Sequence, residues 1–407
     1  MTNETLLHEL TDPANRHDPF PIYARFRESP VTVQDDGTYV VSTYREISAL
    51  LHDPRISSDP RRLANPPEGL PPPGFAPFIT RDPPDHDRLR RVAMRQFGPP
   101  DNATRVAERE PEIAALVDHL VAGFGDRKQI DVVDDFAYPL PVQVICTLLG
   151  VPSEDEPTFH GWAEAIVAGI DAADQVNADE INQKRNEAQV ALVGYLGELI
   201  KRHRDHPDDS LFSRLANDPA DDHMSDTDLE VTGVLLLVAG HETTVNLITN
   251  GTLTLLRNPD VLARLREDRE LAVPLVEELL RYEPPVHFLP NRNALGDIDV
   301  GGTTIPKGSR VVLLLASGSR DADHYDDPER FDPDRRDNQH FGFGGGIHYC
   351  FGAPLARLEA QLALLALARR LRNPRLTVDP PPYRPSPVLR GPRHLLVDVD
   401  GIEPVRT

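Results

Sequence analysis

A chain of 407 residues with 39% hydrophobic and 27% charged side chains can bury a large core, and its composition excludes a disordered or fibrous protein. A formal charge of −22 argues against a nucleic-acid partner, because gripping a polyanion takes clustered Lys and Arg. Two cysteines, Cys146 and Cys350, are too few for a disulfide framework and fit a reducing cytoplasm.

The first twenty residues are polar, are interrupted by Pro13 and Pro19, and lack the basic-then-apolar pattern of a signal peptide. A short helix over 22–27 precedes two alternating segments, 31–33 and 39–42, joined by a turn at Asp36-Gly37 as in a hairpin. Residues 65–84 form a proline-rich loop, since proline withholds backbone donors and forbids regular helix. Helical periodicity then dominates over 85–96, 106–124, 138–149, 159–170 and 178–204. Cys146 lies in an apolar run there and reads as a small buried hydrophobe.

Ser225-Asp226-Thr227-Asp228 is a capping-box pattern and predicts a helix running to about Arg257. Roughly 32 residues at the α-helical rise span about 48 Å, too long to lie wholly on a surface. Helices continue to Tyr282, hairpin strands are expected over 298–315, a last long helix over 354–371, and a strand over 395–397. The longest apolar runs, such as 234–239, 311–316 and 362–368, fall well short of the ~20 residues needed to span a bilayer, so no membrane association is expected. No low-complexity linker divides the chain, and one mixed domain over 1–407 is the expectation.

The chemistry concentrates in Phe343-Gly344-Gly345-Gly346-Ile347-His348-Tyr349-Cys350-Phe351-Gly352, immediately before the last long helix. So many glycines let backbone approach a flat ligand closely, and a helix N-terminus beside Cys350 stabilises its thiolate. That suits a metal ligand, and the bland alternative is a glycine-rich turn with an incidental thiol. One alternative is a zinc site built from His340, His348 and Cys350, although zinc usually takes paired Cys or His at short spacing.

This segment matches, position for position, the pattern F-x-x-G-x-H-x-C-x-G and resembles the haem-binding signature of the cytochrome P-450 family. The resemblance makes Cys350 the axial iron ligand, a thiolate that favours O–O cleavage. It extends from about His86 to the C-terminus. Glu278-Leu279-Leu280-Arg281 has the family's E-x-x-R form, and the resemblance joins this pair to Arg335 in a structural network. His86, Arg90, Arg292 and His348 resemble haem-propionate contacts, Arg292 within atypical flanking residues. On the long helix, Ala239-Gly240-His241-Glu242-Thr243-Thr244 is a second family signature. Ala239 there borders the haem, Gly240 and a back-bonded Thr243 loosen the helix to open a groove for dioxygen, and Glu242 with Thr243 relays protons.

The fold so implied is the cytochrome P-450 fold, mainly α with a smaller β-rich part, a triangular prism with haem b between the long central helix and the cysteine loop. The activity implied is that of a bacterial monooxygenase inserting one oxygen atom into a small to medium hydrophobic substrate, by hydroxylation or epoxidation, in secondary metabolism or catabolism. Electrons would come from a separate ferredoxin and its reductase, because no flavin or iron–sulfur segment fits beside the fold. Arg88, Arg91, Arg95 and Arg357 are candidates for a basic patch that docks the ferredoxin. The family's layout assigns the substrate pocket to the loop 70–78, with Phe78, and to Leu235, Val238, Val286, His287, Leu289, Val388 and Leu389, His287 being a polar handle. A peroxide-driven peroxygenase would not need the Glu242–Thr243 pair, and a haem-based gas sensor would carry an output domain.

Overall fold

The computed structural model describes residues 3–67, 70, 72–97, 104–152, 154–168 and 178–404. Parts of the predicted proline-rich loop (68–69 and Pro71) and the end of the predicted helix 159–170 (169–170) lie outside the described residues. In chain order the elements are α1 (Asn3–Thr11), α2 (Phe20–Phe26), β1 (Val31–Val33), β2 (Tyr39–Val41), α3 (Tyr44–Leu51), β3 (Ile56–Ser57), α4 (Asp85–Phe97) and α5 (Glu110–Ala122). There follow β4 (Gln129–Asp131), α6 (Pro139–Leu149), α7 (Glu156–Ala168), α8 (Ala178–Asp205), α9 (Leu211–Ala216), α10 (Asp226–Arg257), α11 (Pro259–Glu267) and α12 (Ala272–Tyr282). The rest of the chain carries β5 (Leu289–Ala294), β6 (Ile298–Val300), β7 (Thr303–Ile305), β8 (Arg310–Leu313), α13 (Leu315–Gly318), α14 (Ala353–Arg370), β9 (Leu371–Arg372), β10 (Arg375–Leu376), β11 (Leu396–Asp398) and β12 (Gly401–Ile402).

Differences from the expected elements have local causes. The stretch predicted as helix from residue 106 begins as a 3-10 turn at Ala107–Arg109 and turns α at Glu110, where Pro111 has no donor to lose in a first turn. Helix α1 lies in a segment read only as polar. Its apolar signal is Leu6 and Leu10, one turn apart, which pack with Phe20 and Tyr23. Cys146 is fully buried, and that burial pushes its thiol up to about 12.

The chain forms two compact units. The larger gathers the residues up to Pro67, Glu112–Ala137 and everything from Thr243 onward; the smaller holds the residues between Pro67 and Glu112 together with Tyr138–Glu242. All the strands belong to the larger unit. Its five-stranded sheet has the order β1-β2-β8-β5-β3, with β2 and β8 parallel and the other pairs antiparallel. Side chains alternate across this sheet. Val41, Val311 and Leu313 face Ile47 and Leu50 of α3, whereas Val40, Val312 and Leu314 face Phe20, Tyr23 and Phe26 of α2. A third cluster packs α11, α12 and α14 against the second half of α10 through Leu265, Leu275, Leu279 and Leu364.

Helix α10 starts with the reciprocal cap its sequence encodes. Ser225 Oγ accepts from the Asp228 amide at 3.2 Å, and the Asp228 carboxylate accepts from the Ser225 amide at 3.2 Å. Burial opposes ionisation of Asp228, but these bonds and the charges of Arg88 and Arg81 hold its carboxyl below the usual range. The helix is long and apolar enough to cross a bilayer, and 67% of its most apolar window is buried inside the protein. The short apolar runs of the sequence understated this, because Thr, Gly and Asn punctuate a helix that is mostly buried.

One core residue sets a pH dependence. Glu359 on α14 is 3% exposed, its Oε2 has no partner among the described residues, and burial pushes its carboxyl up to about 8. Between its unfolded value of 4.5 and this folded value, the folded protein holds a proton that the unfolded chain releases. Stability from this group is therefore intact below the lower value, falls as pH rises between the two, and stays reduced above. Glu359→Gln should lose that slope, so its stability relative to the parent grows by a few kcal/mol between about pH 5 and pH 8, measured by urea unfolding at both values.

Candidate active site

Glu278 and Arg281 sit three apart on α12 with both side chains fully buried. Arg281 uses all five of its donors: Nε and Nη2 on the two Glu278 oxygens at 2.8 and 2.7 Å, and the rest on the carbonyls of Ser319, Pro328 and Arg330. Glu278 also accepts from the Asp332 amide at 2.8 Å and from Asn338 Nδ2 at 3.2 Å. Arg335 Nε lies 3.5 Å from Glu278, while its Nη groups hold the carbonyls of Asp326, Asp327 and Arg330. The structure thus brings Glu278, Arg281 and Arg335 together, and through them ties residues 319–338 to α12.

The cysteine loop follows this tied segment. Cys350 is half-buried, donates its amide to Phe343 O at 2.9 Å, and lies just ahead of Gly352, the cap of α14. A Cβ at Gly352 would stand 3.8 Å from the Cys350 sulfur, which places that sulfur beside the helix start. Gly346 adopts φ +62°, and a Cβ there would fall 2.0 Å from Leu51 O, so only glycine lets the loop lie on the end of α3. Beneath the loop the Arg357 guanidinium sits 4.5 Å from the centre of the Phe343 ring and bonds both Glu277 oxygens at 2.6 and 2.9 Å. Burial works against ionisation of Glu277, yet Arg357 and His340 hold its carboxyl down to about 2.

The zinc alternative is corrected by these contacts. His340 accepts the Gly342 amide at Nδ1, so its Nε2 donates to Glu277 at 3.1 Å, and His348 Nε2 meets Ser58 Oγ at 2.8 Å. Both rings have structural partners of their own. Among the described residues, the one group of three or more metal-binding side chains with ligand atoms within 4.8 Å is Asp131, Asp134 and His394. Cys350 is not in it.

Residues 239–244 lie within the α-helical span of α10, Asp226–Arg257. Ala239 is exposed and Thr243 half-buried, four residues apart on one stripe, whereas His241, Glu242 and Thr244 are buried. His241 turns toward Tyr138, ring edge to ring face at 4.3 Å. In α4, His86 is buried, with Nδ1 2.8 Å from Asp87, and Arg90 is half-buried one turn on. Phe78 is buried against the His86 ring. Leu235 is buried and Val238 half-buried on α10.

In the larger unit Val286, Leu289, Val388 and Leu389 are half-buried, and Val286 pairs with Leu389 in an antiparallel bridge. His287 is fully buried, with Nδ1 2.9 Å from Tyr23 Oη, and burial and the charges of Arg390, Arg320 and Arg16 hold its ring well below the usual histidine range. Tyr23, 264 positions away in sequence, left no local signal of this contact. Arg292 stands in β5, where an extra residue between Leu289 and Arg292 forms a β-bulge. That bulge, at Pro290-Asn291, is the physical form of the atypical sequence around Arg292.

The arginines of α4 expected in a docking patch have acidic partners. Arg91 and Arg95 pair with Asp222, Arg95 also with Asp218, and Arg88 with Asp228. The hydrogen bonds from Arg95 and Arg91 hold the Asp222 carboxyl down to about 2. Carboxylates distant in sequence neutralise arginines that stand close together in it.

With this geometry established, three comparisons bear on kinship. The family model described as Cytochrome P450 matches residues 31–397. Cytochrome P450 107B1 of Saccharopolyspora erythraea is 38% identical over 93% of this chain and 95% of its own length. The vitamin D(3) 25-hydroxylase of Pseudonocardia autotrophica is 39% identical over 96% of each. The solved structure of Mycobacterium smegmatis CYP164A2 superposes with a TM-score of 0.88 ligand-free and 0.87 with econazole bound, at 40% and 39% identity, and covers 97% of this chain and 100% of that chain in both cases. Membership of this family implies haem iron. The residues present fit it: a lone thiol at a helix start suits an iron whose porphyrin supplies four ligands, and a glycine-lined loop leaves room for a flat ring.

The Glu278–Arg281 pair yields a direct test of the segment beneath that loop. Arg281→Ala leaves the buried Glu278 carboxylate with only Arg335, at 3.5 Å, as a cationic partner and should cost about 3–5 kcal/mol. Arg281→Lys keeps the charge but offers three donors in place of five, and should fall between the two in chemical denaturation.

Proposed function

The chain belongs to the cytochrome P450 family and is an oxidoreductase of its monooxygenase class, and from this premise we propose the finer reading that follows. It is a cytoplasmic haem b enzyme, working as one catalytic domain over 1–407. It inserts one oxygen atom from dioxygen into a small to medium hydrophobic substrate, by hydroxylation or epoxidation, with electrons from a ferredoxin and its reductase. The observation that carries the reading is Cys350, held by Phe343 O in a glycine-lined loop at the start of α14.

When bound, the haem iron supplies the activation of dioxygen. Cys350 holds that iron through its sulfur, and the amides at the start of α14 favour its thiolate. His86 and Arg90 in the smaller unit, and Arg292 and His348 in the larger, are the residues assigned to hold haem propionates, which would take charge-assisted hydrogen bonds. Ala239, with the smallest side chain that still favours helix, leaves space on α10 beside the ring. Glu242, buried on α10, and Thr243 next to it form the acid and alcohol pair that relays protons. The residues assigned to the substrate, Phe78, Leu235 and Val238 in the smaller unit and Val286, Leu289, Val388 and Leu389 in the larger, are apolar, which favours a hydrophobic substrate. One relative is named for hydroxylating vitamin D(3), itself an apolar molecule. His287 stands behind this wall with Tyr23 as its partner.

The purified protein is expected to bind iron-protoporphyrin IX and, once reduced and exposed to carbon monoxide, to show the strongly red-shifted absorption of sulfur ligation. Cys350→His should abolish that band. Thr243→Ala should keep consuming electrons from reduced ferredoxin while product formed per electron falls about tenfold or more; coupling equal to that of the parent would refute the proton relay.

A further inference from the structure

Two segments read as pocket wall are joined edge to edge. His287 N donates to Val388 O and Arg390 N to Pro285 O, both at 2.9 Å, flanking the bridge between Val286 and Leu389. The second segment is one arm of a hairpin, closed by the Tyr383–Pro392 bridge and by Arg384 N on Gly391 O at 3.1 Å. Asn250 of α10, 2% exposed, donates from Nδ2 to Arg390 O at 3.0 Å, in the second segment, and to Glu283 O at 3.4 Å, at the C-cap of α12 just ahead of the first. With two carbonyls facing it, that end of the amide must be the nitrogen.

A second contact presses the hairpin onto the helix one turn earlier. Asn246 is fully buried, and a Cβ at Gly391 would fall 2.1 Å from its Oδ1 and 3.0 Å from its Cβ. Only a residue without a side chain lets the strand lie there. Positions 239, 243, 246 and 250 recur at i, i+4, i+7 and i+11, so they share one stripe of α10. Asn250 lies seven residues beyond Thr243, about 10.5 Å farther along the same face. The wall is thereby registered against Thr243 by a helix that does not stretch.

We propose that Asn250 is a positioning residue that staples the Pro285–His287 and Val388–Arg390 segments to each other and to α10, and so sets the distance between the pocket wall and the oxygen-handling stripe. This rests on the reading of Val286, Val388 and Leu389 as pocket residues. Loss of the staple lets the wall drift while leaving the cysteine loop, which is held by α12 and α3, unchanged.

Two probes separate wall from iron. Imidazole is small enough to ligate the iron without reaching the wall, whereas econazole carries bulky apolar arms that must touch it. Optical titration of the haem-loaded protein should show econazole binding weakened about tenfold in Asn250→Ala, with imidazole binding and the reduced carbonyl band unchanged. Gly391→Ala, acting on the same strand from another position, should do the same. Unchanged econazole binding in Asn250→Ala overturns the proposal, as does equal loss of both ligands or of the carbonyl band, which would make Asn250 a general stabiliser. Leu389→Ala distinguishes the underlying reading: if it alters econazole binding and Asn250→Ala does not, the staple is wrong; if it leaves econazole binding untouched, the pocket assignment fails and the proposal with it.

Discussion

A guanidinium with every donor used and a carboxylate with both oxygens engaged, each without contact with solvent, hold the proximal part of this protein in one arrangement. Arg281 and Glu278 between them bind four backbone carbonyls and amides of residues 319–332, besides the side chains of Arg335 and Asn338. A buried ion pair is a poor source of net stability, because desolvating two charges costs about as much as their attraction returns. Its worth lies in exclusivity. Any shift of the 319–338 segment strands a buried charge, so alternatives to this path are expensive, and the cysteine loop starts from a fixed origin.

Above that origin the loop is shaped by what is missing from its residues. Gly346 allows contact with the end of α3 that no side chain would permit, and the sulfur arrives beside the start of α14. Arg357, Glu277 and His340 then close the underside with a charge-compensated cluster over Phe343. His340 and Glu277 are engaged by these structural contacts, and the loop presents the Cys350 sulfur beside the helix start, which suits a porphyrin iron better than a zinc ion.

Helix α10 works as a ruler. Its rise per residue is set by backbone hydrogen bonds, so whatever is attached at Asn246 and Asn250 keeps its distance from Thr243. The helix also shows how charge is managed in so acidic a protein. Asp228 caps it, is held ionised by Ser225, Arg81 and Arg88, and in turn compensates Arg88 of α4. A net charge of −22 therefore coexists with arginines that are largely engaged internally.

Where a contact is made by neighbours in sequence, the sequence sufficed. The cap at Ser225, the i,i+3 spacing of Glu278 and Arg281, the hairpin at Gly37 and the glycine run before Cys350 are all decided by short-range geometry, and each is legible as a pattern of residues. Contacts between distant segments were decided by tertiary structure alone: the parallel pairing of β2 with β8, the Tyr23–His287 bond, the capture of Arg91 and Arg95 by Asp222, and the bulge before Arg292. The physical reason is that a strand of two or three residues, or a lone polar side chain, has no preferred state until a partner hundreds of positions away supplies the missing donor, acceptor or charge.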